Sequence, residues 1–102
     1  MIKVLRTDTF ITWFHRLRDE EAKARIVTRI DRLALGNPGD VKAVGGGISE
    51  LRIAYGPGYR LYCTWRGAEL VILLCGGDKS DQRRDIETAK MLLREIGKTW
   101  SN

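Results

Sequence analysis

ISELRIAYGPGYRLYCTWRGAELVILLC, residues 48–75, decides the fold. Two runs that alternate apolar and polar side chains, 48–55 and 59–65, flank Gly56-Pro57-Gly58, and a third, 69–75, follows a tight turn at Arg66-Gly67. Alternation marks half-buried strands, and Gly and Pro between such runs mark the turns. The stretch predicts a three-stranded antiparallel meander. Its last strand is apolar on both faces, Leu70-Val71-Ile72-Leu73-Leu74, so it should be central and covered on both sides. Pairing about Arg66-Gly67 sets Cys63 opposite residue 70 and Cys75 near Gly58 or Tyr59. A disulfide would then need a register slip of about 13 Å at strand rise, and the two thiols read as inert core residues.

Upstream, residues 2–6 read as a short opening strand. Thr7, Asp8 and Thr9 offer capping oxygens ahead of Phe10, Trp13, Phe14 and Leu17, the spacing of a one-faced helix. Asp19-Glu20-Glu21 opens a second helix with acids where the dipole favours them. Its apolar stripe is Ala22, Ile26, Ile30 and Leu33, with Lys23, Arg25, Arg29 and Arg32 on the polar side. Gly36-Asn37-Pro38-Gly39-Asp40 stops it, and residues 40–47 read as a loop ending in three glycines. Downstream of Gly76-Gly77, Asp78 or Ser80 can cap a last helix whose stripe is Ile86, Ala89, Leu93 and Ile96. The fold class is α+β, in the order β-α-α-β-β-β-α. A helical hairpin covers one face of the sheet, and the last helix partly covers the other, leaving a concave floor.

A chain of 102 residues supports one core, so residues 1–102 form a single domain. Apolar residues at 43% and charged residues at 30% exclude disordered and collagen-like classes. The longest apolar run, 70–75, is far short of the about twenty residues of a membrane-spanning helix. Lys3 and Arg6 interrupt the opening segment too soon for a signal-peptide core. A soluble, cytoplasmic protein without membrane contact is expected. Two cysteines and one histidine, His15, supply neither a disulfide framework nor the usual ligand set of a zinc site, so no metal and no cofactor is expected.

The net charge is +5, and the segment 52–66 holds Arg52, Arg60 and Arg66 without an acid. Clustered positive charge fits a polyanionic partner, and it also simply aids solubility. Strand alternation puts Leu51, Ile53, Leu61 and Cys63 toward the helices, and Arg52, Arg60 and Tyr62 on the open floor. Two guanidinium forks beside a phenol ring suit a phosphodiester with a stacked base. The competing reading pairs Arg52 with Glu50 or a neighbouring acid on a solvated surface. Lys79 follows the third strand at a position suited to anions, although Asp78, Asp81 and Asp85 lie close enough to neutralise it.

Four stretches carry a resemblance: the opening strand with TFITWFHRLRD, RIVTRIDRLALGNPGD (25–40), ISELRIAYGPGYRLYC (48–63) and LLCGGDKSDQRRDI (73–86). Together they resemble the addiction-module killer proteins, the HigB-like branch of the RelE/ParE toxin superfamily. The resemblance implies a RelE-like fold and a toxin that cleaves messenger RNA on the ribosome. It implies a helix-turn-helix antitoxin as partner, with operator DNA bound only through the complex of the two. Arg60 matches the family's phosphate-binding arginine, Arg52 falls on the strand that carries basic catalytic residues, and Lys79 matches the basic residue after the last strand. Asp85 and Ile86 occupy the region where relatives carry a tyrosine or histidine. The candidate catalytic residues are thus Arg52, Arg60, Lys79 and Asp85, with Tyr62, Arg83 and Arg84 as substrate contacts. The expected chemistry is metal-independent attack by the RNA 2′-hydroxyl. The rival readings are a ParE-like inhibitor of DNA gyrase and a degenerate toxin that only binds its antitoxin.

Overall fold

In the computed structural model, which describes residues 1–100, the meander is present and gains a neighbour on each side. The strands are β1 (Lys3–Arg6), β2 (Val41–Gly45), β3 (Ile48–Ile53), β4 (Tyr59–Arg66) and β5 (Leu70–Asp78). The helices are α1 (Asp8–Arg16), α2 (Glu20–Ala34) and α3 (Gln82–Trp100), the last preceded by a single 3-10 turn, Lys79–Asp81. The sheet runs β1-β5-β4-β3-β2. Among the described residues, β1 and β5 form the one parallel pair, with Lys3 opposite Leu70 and Arg6 opposite Leu73, so the sheet is mixed. Among the described residues, no helix is long and apolar enough to cross a membrane.

The caps of α1 and α2 form where the sequence offers them, whereas Asp78, offered for the last helix, accepts the Ser80 amide at 2.9 Å and so caps the 3-10 turn. Thr7 accepts the Phe10 amide at 3.1 Å and donates to the Leu74 carbonyl at 2.6 Å, which ties the start of α1 to β5. Asp19 accepts the amides of Glu21 and Ala22 at 3.0 and 3.2 Å, satisfying donors that a helix start otherwise leaves orphaned. The α2 stripe, Ala22, Ile26, Ile30 and Leu33, is buried. With Phe10 of α1 it packs on Leu51, Ile53, Leu61, Cys63, Val71 and Leu73. Strand alternation had assigned that face correctly. Arg29, expected on the solvated side of α2, has a structural task instead. Its guanidinium donates to the carbonyls of Pro38 (2.8 Å), Arg52 (2.6 Å) and Asp40 (2.6 Å), and so fastens the helix-stopping loop to β3.

Four expectations are corrected. Residues 40–47 are not a loop: 41–45 form β2, whose Val41, Lys42 and Ala43 pair with Leu51, Glu50 and Ser49. Gly45, Gly46 and Gly47 all have positive φ, which lets the chain reverse tightly into β3. As an edge strand, β2 is mostly exposed, so it carries no buried stripe that would have announced it. Second, β5 does not end at Cys75 but runs through Gly76-Gly77 to Asp78. Both glycines are strand residues under close cover. A side chain at Gly76 would collide with the Trp13 ring, and one at Gly77 with the Asp85 carboxylate.

Third, the β4–β5 connection is longer than a tight turn at Arg66-Gly67. Arg66 pairs with Leu70, Cys63 with Leu73 and Tyr62 with Cys75, with a bulge between Tyr62 and Cys63. The two cysteines therefore sit one register step apart. They are both free and face different layers, Cys63 toward α1 and α2 and Cys75 toward α3. Burial pushes each thiol up to about 12, so neither is a thiolate at neutral pH. Fourth, the second face is no bare floor. Ile86, Ala89, Leu92, Leu93 and Ile96 of α3 cover Ile48, Tyr62, Ile72, Leu74 and Cys75.

Candidate functional site

The site is built where β3, β4 and β5 lie side by side beneath the start of α3. Arg52 and Arg60 are direct cross-strand partners, and Gly77 is the partner of Arg60 on the other side. Paired residues of antiparallel strands share a face, so both guanidiniums stand on the α3 side of the sheet. Each lies beside a different carboxylate, Arg52 beside Asp40 and Arg60 beside Glu50. Arg52 Nη2 lies 2.8 Å from Asp40 Oδ1, and its Nε donates to the same oxygen at 3.3 Å. That pair is open to water, with the two side chains 39% and 58% exposed. The Arg52 hydrogen bond holds the Asp40 carboxyl below the ordinary carboxylate range.

Arg60 is the more enclosed, its side chain 16% exposed. Its Nε is 3.8 Å from Glu50 Oε2, too long for a hydrogen bond, and is buried without a partner. Glu50 itself is fully buried. Its Oε2 accepts from Gln82 Nε2 at 2.6 Å and from the Tyr62 hydroxyl at 3.3 Å, while Oε1 has no hydrogen-bond partner. A carboxylate so placed holds a guanidinium over the sheet by charge and fixes the first residue of α3 by a hydrogen bond. The competing reading of Arg52, paired with a neighbouring acid on a solvated surface, holds, and the acid is Asp40.

Tyr62 does not stand on an open floor. It is buried under α3, where burial first and the Glu50 carboxylate second push its phenol upward. In this arrangement it supports Glu50 and presents no face for stacking. Asp85 comes in from the first turns of α3 and sets Oδ2 over Gly77, buried and unpartnered. Burial raises its carboxyl above the ordinary value, and no hydrogen bond opposes that shift. Lys79, on the 3-10 turn, lays its methylenes against Gly58 at the near end of β4. Arg83 and Arg84 are exposed, and Arg84 pairs with Asp81 at 3.1 Å.

Arg52, Arg60 and Asp85 are therefore gathered, Lys79 stands at the rim, Tyr62 lies beneath, and Arg83 and Arg84 remain on the surface. Glu50 and Gln82 are the members that sequence reasoning missed. Alternation already placed Glu50 on the arginine face, two residues before Arg52. That α3 would bury it needed the tertiary packing.

Residues 12–94 match the sequence family described as "Phage derived protein Gp49-like". An uncharacterized protein of Haemophilus influenzae is 52% identical over 96 residues, which span 94% of this chain and 97% of that protein. The matched segment contains every residue of the site.

Proposed function

The chain belongs to the phage-derived Gp49-like family, toxins of toxin-antitoxin modules related to the RelE and HigB types, and on that premise we propose that it is a ribosome-dependent messenger RNA endonuclease. Membership implies an antitoxin partner. In this reading the antitoxin is a helix-turn-helix protein of the same module that also carries the complex to operator DNA.

The observation that carries the proposal is the cross-strand pair Arg52 and Arg60, backed by the buried Glu50 carboxylate. The RNA 2′-hydroxyl attacks the adjacent phosphorus and the bond to the 5′-oxygen breaks, leaving a cyclic phosphate and a free 5′-hydroxyl. Negative charge grows on the non-bridging oxygens as the phosphorane forms. A rigidly held guanidinium stabilises that charge without reorganising. Arg60, low in exposure and aligned by Glu50, is suited to this, and Arg52 supplies the second fork once phosphate displaces the exposed Asp40. Lys79 at the rim is the donor for the departing 5′-oxygen. The proton of the 2′-hydroxyl has no dedicated imidazole or phenol to receive it. Much of the acceleration then comes from the orientation imposed on the RNA by the ribosome.

The test is to add the purified toxin to programmed ribosomes and map transcript ends. Cleavage by the wild type, with loss in the Arg52→Ala, Arg60→Ala double variant at unchanged helical content, supports the reading. Intact transcripts together with double-strand breaks in DNA on induction would replace it with gyrase poisoning.

A further inference from the structure

Beside the arginine pair lies a slot that the phosphate chemistry leaves unused. Pairing of β1 with β5 ends at Leu73, and Thr7 caps the Leu74 carbonyl, so the following residues of β5 have no strand on that side. There α1 and α3 approach from opposite faces and bound a cavity of about 460 Å3. Its walls include Thr12, Trp13, Cys75, Gly76, Asp85 and Thr88. Sites that hold small aromatic ligands are commonly about 300–1,000 Å3, mostly apolar, with a few fixed polar groups. This one has an indole wall, the hydroxyls of Thr9, Thr12 and Thr88, the Arg16 guanidinium, and one carboxylate from each helix, Asp8 of α1 and Asp85 of α3.

Two features set it apart from a packing gap. The Trp13 ring is locked: it lies over Gly76, with Tyr59 edge-on at 6.3 Å and Phe10 at 5.7 Å between centroids. Asp85, in turn, feels the charge of neighbouring Arg84. No hydrogen bond appears among the influences on its carboxyl, and its Oδ2 is buried without a donor. Gly77 links the slot to the arginines, being the cross-strand neighbour of Arg60 and the residue over which the Asp85 carboxylate rests. A phosphate on Arg60 would thus have its own nucleoside within reach of the slot.

We propose that this slot receives an unstacked nucleobase next to the scissile phosphate, with Trp13 as its stacking wall and Asp85 accepting hydrogen bonds from its Watson–Crick edge. The assignment rests on the ribonuclease reading for the position of the phosphate. Single-stranded RNA is read in this manner, by bases splayed onto aromatic rings and hydrogen-bonded along their edges. A carboxylate offers two acceptors and no donor, and guanine alone presents two adjacent donors, N1–H and the N2 amine, on that edge. The favoured occupant is guanine. Asp85, a candidate catalytic residue by sequence, becomes a specificity residue.

The probes are the four nucleoside 3′-monophosphates, titrated into the full chain while the Trp13 indole resonance is followed. Guanosine 3′-monophosphate should bind about tenfold or more tightly than the adenosine, cytidine and uridine forms, the discrimination one well-made bidentate pair provides. Asp85→Asn should erase the preference and Arg60→Ala should weaken all four alike. Equal binding of the four, no binding, or a preference that survives Asp85→Asn overturns the proposal. Transcript cleavage on ribosomes is measured alongside. Cleavage without base selectivity rejects the slot and keeps the nuclease, whereas selectivity without cleavage does the reverse.

Discussion

Between the sheet and the helical hairpin, Leu51, Leu61, Val71 and Leu73 meet Phe10, Ile26 and Leu33 in an apolar layer. Between the same sheet and α3, Ile48, Ile72 and Leu74 share the space with Glu50, Arg60 and Asp85. Glu50 Oε1, Arg60 Nε and Asp85 Oδ2 are buried without hydrogen-bond partners, and all three belong to the α3 side. Each such atom costs about 1–3 kcal/mol of desolvation that no hydrogen bond offsets. A sheet that can build one well-satisfied layer has no structural need for the second kind. The hairpin layer holds the domain together, and its stability tolerates an underpaired polar cluster on the other face, the cluster to which the proposed ribonuclease reading assigns the phosphate.

The contrast is tested most severely by truncating one residue from each face. Leu61→Ala, from a fully buried position on the hairpin side, should lose about 2–5 kcal/mol in urea denaturation and lose activity only by unfolding. Arg52→Ala with Arg60→Ala should instead leave the fold standing and lower transcript cleavage by about 100- to 1,000-fold, the usual loss for a transition-state donor. If both variants fail by unfolding, the two faces are not divided as described.

Glu50→Gln sharpens the comparison within the polar face. The neutral amide keeps the volume and an acceptor for Gln82 but removes the charge opposite Arg60. Stability should change by about 1 kcal/mol or less. Cleavage should fall, though less than on loss of the arginines, and Glu50→Asp should not restore it if the distance to Arg60 matters.

Two carboxyls make the smaller, pH-dependent differences. The Asp85 carboxyl is raised in the folded state, so its protonated form favours folding. That contribution is present below the ordinary carboxyl value and is lost as pH rises through the raised one. Asp85→Asn should therefore melt higher than the wild type at neutral pH, and the gap should close in acid. Asp40 is the opposite case. Its carboxyl is lowered by Arg52, so its contribution is present above the ordinary value and fades as pH falls toward the lowered one. Because the pair is exposed, Asp40→Asn should have the smallest effect of the set and should vanish in high salt.

Helices α1 and α2 were readable because each carries a one-sided stripe and an oxygen cap, both local properties of the chain. Strands β3, β4 and the middle of β5 were readable by alternation or by an unbroken apolar run. Strand β2 was not, since an edge strand with little buried surface leaves no periodic trace. Register along β4 and β5 was also hidden. A three-residue loop and a bulge each displace the pairing, and neither is coded by hydrophobicity. In the site, Arg52 and Arg60 were found as charged residues on adjacent strands. Glu50 was passed over because its importance lies in being buried beside Arg60, not in its type.

What the sequence by itself determined is the identity of the layers: which side chains face the hairpin, where the first two helices begin, and that two arginines share a strand face. Those follow from rules of period and capping that act over a few residues. Tertiary packing alone decided that α3 closes over Glu50 and Tyr62, that Gly77 makes room for Asp85, and that a slot remains beside Trp13. These depend on residues distant along the chain competing for the same volume, and no local pattern records who wins.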